Sequence, residues 1–231
     1  MTAMFLRSML TGVVLAALTA APASADVSLD TLKPCYVAAQ ETQREYVTIN
    51  AHGFTPLATV DIYVDDILQP NSPRAAYNGD LSGSIQAPFV ESGQREFTLR
   101  LAEEGGASNS IAVMSRVTRF SVEQVPKSAK TNDRVRFRGR GFTRPQPVYA
   151  HYVFGGRSLR TIELGMPKGN CGMFSVKRRQ FPFKRRPRVG SWTIQFDQLP
   201  YFDPNASERV PMTIKVKRAP KSAPARRHAS S

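Results

Sequence analysis

The stretch RVRFRGRGFT, from Arg134 to Thr143, alternates arginine with valine, phenylalanine and glycine. Successive side chains of an extended strand point to opposite faces, so residues two apart share a face. Val135 and Phe137 are therefore expected to face a protein core. The other face carries the row of Arg134, Arg136, Arg138 and Arg140. The stretch predicts a half-buried β-strand with four cations on its exposed side.

The same pattern occurs earlier in the chain, where YVTINAHGFT (46–55) aligns with RVRFRGRGFT without a gap. Further matches keep the same order: Val37 with Val125, Val60 with Val148, GSIQA (83–87) with GMFSV (172–176), FTLRL (97–101) with WTIQF (192–196), and FSV (120–122) with IKV (214–216). Several matches in one order indicate an internal repeat. Short apolar runs between glycine, proline and asparagine predict strands, and no long window has helical periodicity.

The repeat predicts an all-β protein with two tandem antiparallel β-sandwiches of the immunoglobulin-like type, each of roughly seven strands. The first sandwich is expected over residues 27–122, and the second over residues 123–217. The segment VEQVPKSAKTND (122–133) would be a short connector between them. Residues 218–231 are rich in proline, alanine and basic residues, which predicts a disordered basic tail.

Residues 1–25 have the pattern of a signal peptide for export. Arg7 lies near the start, an apolar run follows over 9–19, and small residues occupy 23–25. The apolar run is too short to span a membrane, and no later stretch is apolar enough to anchor the chain. We therefore expect cleavage before Asp26 and a secreted protein, extracellular or associated with the cell envelope.

The second copy of the repeat carries a motif with the pattern V-x-F-x-G-x-G-F after a proline and a short polar loop. Its residues are Pro126, Val135, Phe137, Gly139, Gly141 and Phe142. The motif resembles bacterial immunoglobulin-like domains of the IPT/TIG type, and Ala51 replaces one glycine in the first copy. Together the repeats resemble uncharacterised secreted actinobacterial proteins with such domains. The resemblance covers most of the chain and implies a fold, not an activity, because such domains occur as spacers, adhesion units and enzyme appendages.

Charge is distributed unevenly along the chain. Residues 26–124 contain 13 acidic and 7 basic residues, whereas residues 125–231 contain 5 acidic and 24 basic residues. Neighbouring cations repel one another, so folding gains nothing from the arginine row unless acids or an external anion offset it. Arginine also suits phosphate, because its planar fork donates two hydrogen bonds at once. We predict a polyanion-binding surface made of the arginine row and of a second basic cluster: Lys177, Arg178, Arg179, Lys184, Arg185, Arg186 and Arg188.

The expected partner is an anionic polymer of the cell envelope or the extracellular space. Phosphate-bearing wall polymers, acidic polysaccharides, lipid head groups and extracellular nucleic acid all remain open. Sequence-specific DNA recognition is not expected, because no motif for reading a groove is visible. Two alternatives stay open: a basic surface that aids solubility or meets acidic neighbours, and a structural or adhesive module that binds a protein partner through a free sheet edge.

No catalytic motif is visible, so we expect a non-enzymatic protein without a cofactor or metal ion. The three histidines are His52, His151 and His228, which are too few and too scattered for a typical metal site. Asp61, Asp65 and Asp66 lack the glycine turn of a calcium loop and predict a strand with an exposed turn. Paired carboxylates for sugar hydrolysis would have to come from Glu163, Asp197 and Asp203.

Cys35 and Cys171 are the two cysteines of the chain. In an exported protein they could form a disulfide that joins the two halves, remain separate thiols, or pair with another molecule. The sequence leaves these alternatives open, because it does not show whether the two Cα atoms approach within about 7 Å. Trp192, the one tryptophan, is expected to be a core residue rather than a ligand platform.

Overall fold

The computed structural model describes residues 26–105 and 109–218, and the regular structure in these ranges is entirely β. The strands of the first half are β1 (Ser28–Leu29), β2 (Tyr36–Gln40), β3 (Gln43–Arg44), β4 (Tyr46–His52), β5 (Val60–Val64), β6 (Ile67–Leu68), β7 (Leu81–Gln86), β8 (Gln94–Glu103) and β9 (Ser110–Arg119). Those of the second half are β10 (Ser121–Val125), β11 (Arg134–Arg140), β12 (Val148–Phe154), β13 (Arg157–Gly165), β14 (Phe174–Arg179), β15 (Gly190–Asp197) and β16 (Val210–Val216). No helix occurs in the described ranges, as the sequence predicts.

The first half forms two sheets around one core. Three antiparallel strands have the order β1-β4-β7, and six strands have the order β3-β2-β9-β8-β5-β6, in which β2 runs parallel to β9. Val47 and Ile49 from β4 share a hydrophobic cluster with Ile62, Leu99 and Leu101 from β5 and β8. The two sheets therefore bury their apolar faces against each other, in the manner of a sandwich.

The second half also forms two antiparallel sheets around one core. Their orders are β10-β11-β14 and β13-β12-β15-β16. Val135 and Phe137 from β11 share a cluster with Trp192, Ile194 and Phe196 from β15. Trp192 is therefore a core residue, as predicted, and its indole Nε1 donates a hydrogen bond to a backbone carbonyl. The inward rows expected in β4 and β11 are confirmed by burial.

Strand pairing agrees with some matches of the repeat and corrects others. The match of Val37 with Val125 is wrong, because Val37 lies in β2 of the larger sheet and Val125 in β10 of the smaller one. Leu101 pairs with Ile62 in the first half and Phe196 pairs with Ala150 in the second, so the match of FTLRL with WTIQF agrees with the structure. The match of GSIQA with GMFSV is four residues out of register. In the correct match Leu81 corresponds to Phe174, because Leu81 is opposite Ala51 and Phe174 is opposite Gly139. Unequal loops shift the register of a strand without changing its alternating pattern, so the sequence did not show the error.

The match of FSV (120–122) with IKV (214–216) is also wrong. The counterpart of β16 is β9, in which Val117 corresponds to Val216 because both strands pair with equivalent residues of β8 and β15. Phe120 instead packs in the second cluster, and β10 pairs along its length with β11. The predicted limit between residues 122 and 123 falls inside β10.

The two halves meet at β2 and at a disulfide. Cys35, just before β2, is bonded to Cys171 of the second half, and their Cα atoms are 5.2 Å apart. Val37 and Ala39 of β2 pack against the second hydrophobic cluster. Gly141 lies at this contact, where a Cβ atom would stand 2.8 Å from the Phe120 ring. Its φ of +89° is also one that glycine adopts most readily.

The predicted signal peptide, residues 1–25, lies outside the described residues, as do residues 219–231 of the predicted tail. In the ranges 26–105 and 109–218, no helix is long and apolar enough to cross a membrane.

Candidate anion-binding surface

Strand β11 places the four arginines on one face. Val135, Phe137 and Gly139 are buried, whereas the arginines between them are exposed, with Arg140 half-buried at the end of the strand. Gly139 has no room for a side chain, because a Cβ atom there would overlap the Phe174 ring. Tight packing on the inner face thus fixes which side of β11 carries the charge.

The neighbouring strand β14 adds a second row of cations beside the first. Arg179 pairs with Arg134, and Lys177 pairs with Arg136, in the antiparallel register. Directly opposed residues of paired strands share a face, so each of these two pairs brings two cations together. Like charges in opposed positions destabilise a sheet. The face therefore carries six cations, which we call the basic face: Arg134, Arg136, Arg138, Arg140, Lys177 and Arg179.

One carboxylate lies beside the basic face, on β10, the other neighbour of β11. Glu123 of β10 is opposite Arg138, and their charged groups are 3.8 Å apart with both side chains about half exposed. An ion pair this exposed contributes little to the stability of the fold. Within the described residues, no carboxylate lies within ion-pair distance of Arg134, Arg136 or Arg140. Arg136 donates a hydrogen bond to the Ser175 hydroxyl, at 3.4 Å.

The basic face continues into a groove of about 490 Å³ at its Arg134 end. The cations that line this groove are Arg134, Arg160, Lys177, Arg178, Arg179 and Lys184. Arg160 was not predicted from the sequence, because it lies outside the two basic clusters, on β13 of the other sheet. Pro182 and Phe183 supply an apolar part of the wall. The groove therefore combines residues that are far apart in the chain.

A second groove of about 920 Å³ adjoins the first and shares Arg179 and Lys184 with it. Arg185 and Arg186 of the predicted cluster line this groove. Four further cations there were not predicted: Lys130, Lys215, Lys217 and Arg218. Asp133 is the single acidic residue of its lining. The predicted cluster is thus divided between two grooves.

Arg188 is in neither groove. Its guanidinium lies 5.9 Å from the centre of the Phe154 ring, and its backbone carbonyl accepts the hydrogen bond from Trp192. The structure therefore does not bring Arg188 into the surface that the other predicted residues form.

Several of the catalytic or metal-binding candidates have structural partners, whereas Glu163 forms no side-chain hydrogen bond or ion pair with the described residues. His151 is buried and hydrogen-bonded to Thr161 and to the buried carboxylate of Asp197, at 2.9 and 3.0 Å. Asp65 and Asp66 form the two central residues of the β5–β6 hairpin, both with positive φ as a type I′ turn requires. In the described ranges, no group of three or more histidine, cysteine or acidic side chains is placed to hold a metal ion. His228 lies outside those ranges.

His52 is the remaining histidine, and it lies at the end of β4 on the first half. Its Nδ1 is 2.7 Å from Asp80 and its Nε2 is 3.9 Å from Asp30. The hydrogen bond with Asp80 raises the pKa of His52 and lowers the pKa of Asp80. This exposed cluster is on the first half of the chain, whereas the basic face is on the second half.

Fold and surface together define the class of this protein: an all-β chain whose second half carries a basic sheet face and two basic grooves. No protein-family model matches the chain, and no curated protein matches it. A solved structure described as structural insight into host cell surface retention of a 1.5-MDa bacterial ice-binding adhesin is similar at 15% sequence identity and a TM-score of 0.30. The similarity covers 82% of this chain and 63% of that chain. A likeness at this level carries no conclusion about function.

Proposed function

We propose that this chain is a non-enzymatic exported binding protein whose basic face and grooves hold an anionic polymer of the cell envelope or extracellular space. The observation that carries the proposal is the pairing of cations across β11 and β14, with Arg134 opposite Arg179 and Arg136 opposite Lys177. Such pairs cost the fold stability, so their place on one exposed face favours a role toward an external anion.

Binding would proceed by charge neutralisation. Each guanidinium that contacts the polymer replaces condensed counterions, and their release favours binding. The arginine fork donates paired hydrogen bonds to phosphate or carboxylate oxygens. The grooves at the Arg134 end extend the contact beyond a flat strand. This mechanism selects for charge more than for sequence or stereochemistry.

We further propose that the two halves are tandem immunoglobulin-like modules of the IPT/TIG type. Each half has a smaller sheet whose central strand carries the repeated motif, β4 or β11, packed against a larger sheet. Each has its own hydrophobic cluster. With β10 assigned to the second module by its pairing, the division falls near residue 120. Export by the signal peptide of residues 1–25 is part of the same proposal.

A second candidate function is adhesion to a protein partner by strand addition. The supporting observation is β13, an edge strand of nine residues whose described pairing partner is β12 alone. Leu159 on this strand is about half exposed, at 48%. An unpaired edge of this length can accept a strand of another chain.

Binding to a polyanion column tests the first candidate. Replacing all four β11 arginines by threonine should remove salt-sensitive retention, because it removes the charges that release counterions from the polymer. The strand should remain, since β4 keeps the same inner row without arginine on its outer face. A control with the same loss of charge replaces Arg74, Arg95, Arg100 and Arg116 on the first half, and should retain binding. The β11 variant should unfold at or slightly above the wild-type temperature, because its like-charge pairs are gone. The control should unfold at or slightly below it, because three of its arginines lose exposed ion pairs.

The outcomes separate the candidates. Equal retention of the β11 variant and the wild type would exclude the basic face as the binding site. Equal loss in both variants would mean that net charge alone decides binding. Capture of one defined protein with weak salt dependence would favour adhesion through the sheet edge instead. Columns of a phosphodiester polymer and a carboxylate polysaccharide, run in parallel, distinguish the sources of the anion.

A further inference from the structure

A cavity of about 250 Å³ lies where the basic face meets the first module. Its charged and turn residues are Glu91, Gly93, Arg119, Glu123, Arg138 and Arg140. Arg119 ends β9 of the first module, whereas Arg138 and Arg140 belong to β11 of the second. The cavity is therefore composite, and it forms only because the two modules are held together.

Positive charge predominates in this cavity, with three guanidinium groups and two carboxylates. Of these three arginines, only Arg138 forms an ion pair with a described residue, the exposed contact with Glu123 at 3.8 Å. Glu91 is not within ion-pair distance of any described cation. The cavity therefore keeps one net positive charge, and two of its arginines, Arg119 and Arg140, form no ion pair with a described residue.

Arg119 is held in place although its guanidinium is not satisfied. Its backbone nitrogen donates to the carbonyl of Gly93 at 2.9 Å, and its guanidinium carbon lies 5.1 Å from the centre of the Phe89 ring. Nη1 is buried and has no hydrogen-bond partner among the described residues. Buried polar groups are normally paired, so an unpaired one calls for an explanation.

Arg140 lines the same cavity, with its guanidinium beside Gly93. Its Nη1 lies 3.5 Å from the point where a Cβ atom of Gly93 would stand, and Gly93 has a φ of +74°. The Arg140 guanidinium therefore lies close to the turn of the first module that contains Gly93. Arg119 and Arg140 thus both lie beside the turn that contains Gly93, Arg119 through its backbone hydrogen bond and Arg140 through its guanidinium.

We propose that this cavity is a subsite for one compact oxyanion, a phosphate or carboxylate group, bound jointly by Arg119, Arg138 and Arg140. Two guanidinium forks from different modules can donate to one such group, which neither module could bind as well alone. Because Arg138 and Arg140 also belong to the basic face, the subsite would hold one charged group of the polymer at the end of the row. This inference rests on the proposed function but is tested separately.

Titration with inorganic phosphate, followed by the backbone amide shifts of Ser92 and Gly93, tests the subsite. The shifts should saturate, and chloride at matched ionic strength should not reproduce them. Acetate in a parallel titration distinguishes a carboxylate subsite from a phosphate subsite. Arg119→Gln should weaken the phosphate affinity about tenfold, as expected for the loss of a charged hydrogen bond. The matched control Arg116→Gln, three residues earlier on β9, should leave it unchanged.

Two further variants keep the test decisive. Glu91→Gln should strengthen phosphate binding, because it removes a negative charge from the cavity, whereas a purely structural cavity would show no gain. Arg140→Gln provides an independent loss if Arg119→Gln fails to fold. Shifts that do not saturate, or that persist in Arg119→Gln, would overturn the subsite.

The inference and the proposed function can fail independently. Arg134→Thr lies at the far end of the row and should weaken polymer binding without changing the Gly93 shifts. Polymer retention without a phosphate response at Gly93 would refute the subsite alone. A phosphate response without polymer retention would refute the proposed function alone.

Discussion

Gly139 and Ala51 occupy equivalent positions in the two modules, and their cross-strand partners differ in a matching way. Gly139 is opposite Phe174, whereas Ala51 is opposite Leu81. The large ring of Phe174 fills the space that a Cβ atom of Gly139 would need. The smaller Leu81 leaves room for the methyl group of Ala51. The departure of the first copy from the glycine motif is therefore a packing compensation.

This compensation predicts a result for Gly139→Ala. The variant should lose about 1–3 kcal/mol of unfolding free energy, the usual cost of overpacking a core. Combining it with Phe174→Leu should recover part of the loss, because the pair then matches that of the first module. Urea unfolding measures both. Gly83→Ala is the control: no atom lies within 4 Å of its Cβ position, so the unfolding free energy should barely change. If the effects of Gly139→Ala and Phe174→Leu simply add, the compensation is refuted.

His52 makes a second prediction at the scale of single residues. Its raised pKa means that its contribution to stability is fully present below the ordinary value of 6.5 and is lost as pH rises through the folded-state pKa. The lowered pKa of Asp80 acts in the opposite sense, and its contribution is lost as pH falls through that pKa. The pair therefore stabilises most between these two limits.

An NMR titration of the His52 ring checks this assignment. Asp80→Asn should return the pKa of His52 toward its ordinary value, because the hydrogen bond with Asp80 is the largest cause of the shift. Asp30→Asn should change it less, since that carboxylate is 3.9 Å away. An unshifted pKa in the wild type, or an equal effect of the two variants, would contradict the geometry.

At the scale of elements, β4 and β11 show how one strand serves two purposes. The inner rows are apolar in both, Val47 and Ile49 in one and Val135 and Phe137 in the other. The outer row of β4 carries no arginine or lysine and only one titratable base, His52, whereas the outer row of β11 is fully cationic. Because the inner row determines packing, the outer row was free to change. The arginine variants proposed above act at this scale, and removing one arginine that binds the polymer should lower the salt slope of binding by about one.

Whole-molecule properties depend on the disulfide between Cys35 and Cys171. It closes a loop with a sequence separation of 136 and joins the two modules beside β2. The contacts of Val37 and Ala39 with the second cluster add noncovalent area to the same junction. The composite cavity with Arg119 lies at this junction too, so its geometry depends on how firmly the modules are joined.

Replacing both cysteines by serine should lower the unfolding free energy by about 2–5 kcal/mol, because the unfolded chain is then less constrained. Urea unfolding with and without a reductant measures the effect. The reduced wild type should resemble the double variant, and the variant itself should not respond to reductant. An unchanged unfolding free energy would contradict a stabilising disulfide. The phosphate-induced amide shift of Gly93 should also become smaller in the double serine variant.

The sequence by itself determined the local features: the strands, the buried and exposed rows of β4 and β11, the exposed aspartate turn of β5 and β6, and the core position of Trp192. These follow from a two-residue period that each strand carries within itself. Tertiary structure alone decided the cysteine pairing, the register of β14 and β16, and the cation pairs across β11 and β14. It also decided that Arg160 lines the groove beside the basic face and that Arg119 lines the composite cavity. Each of these depends on the approach of segments far apart in the chain, which alternation within one strand does not encode.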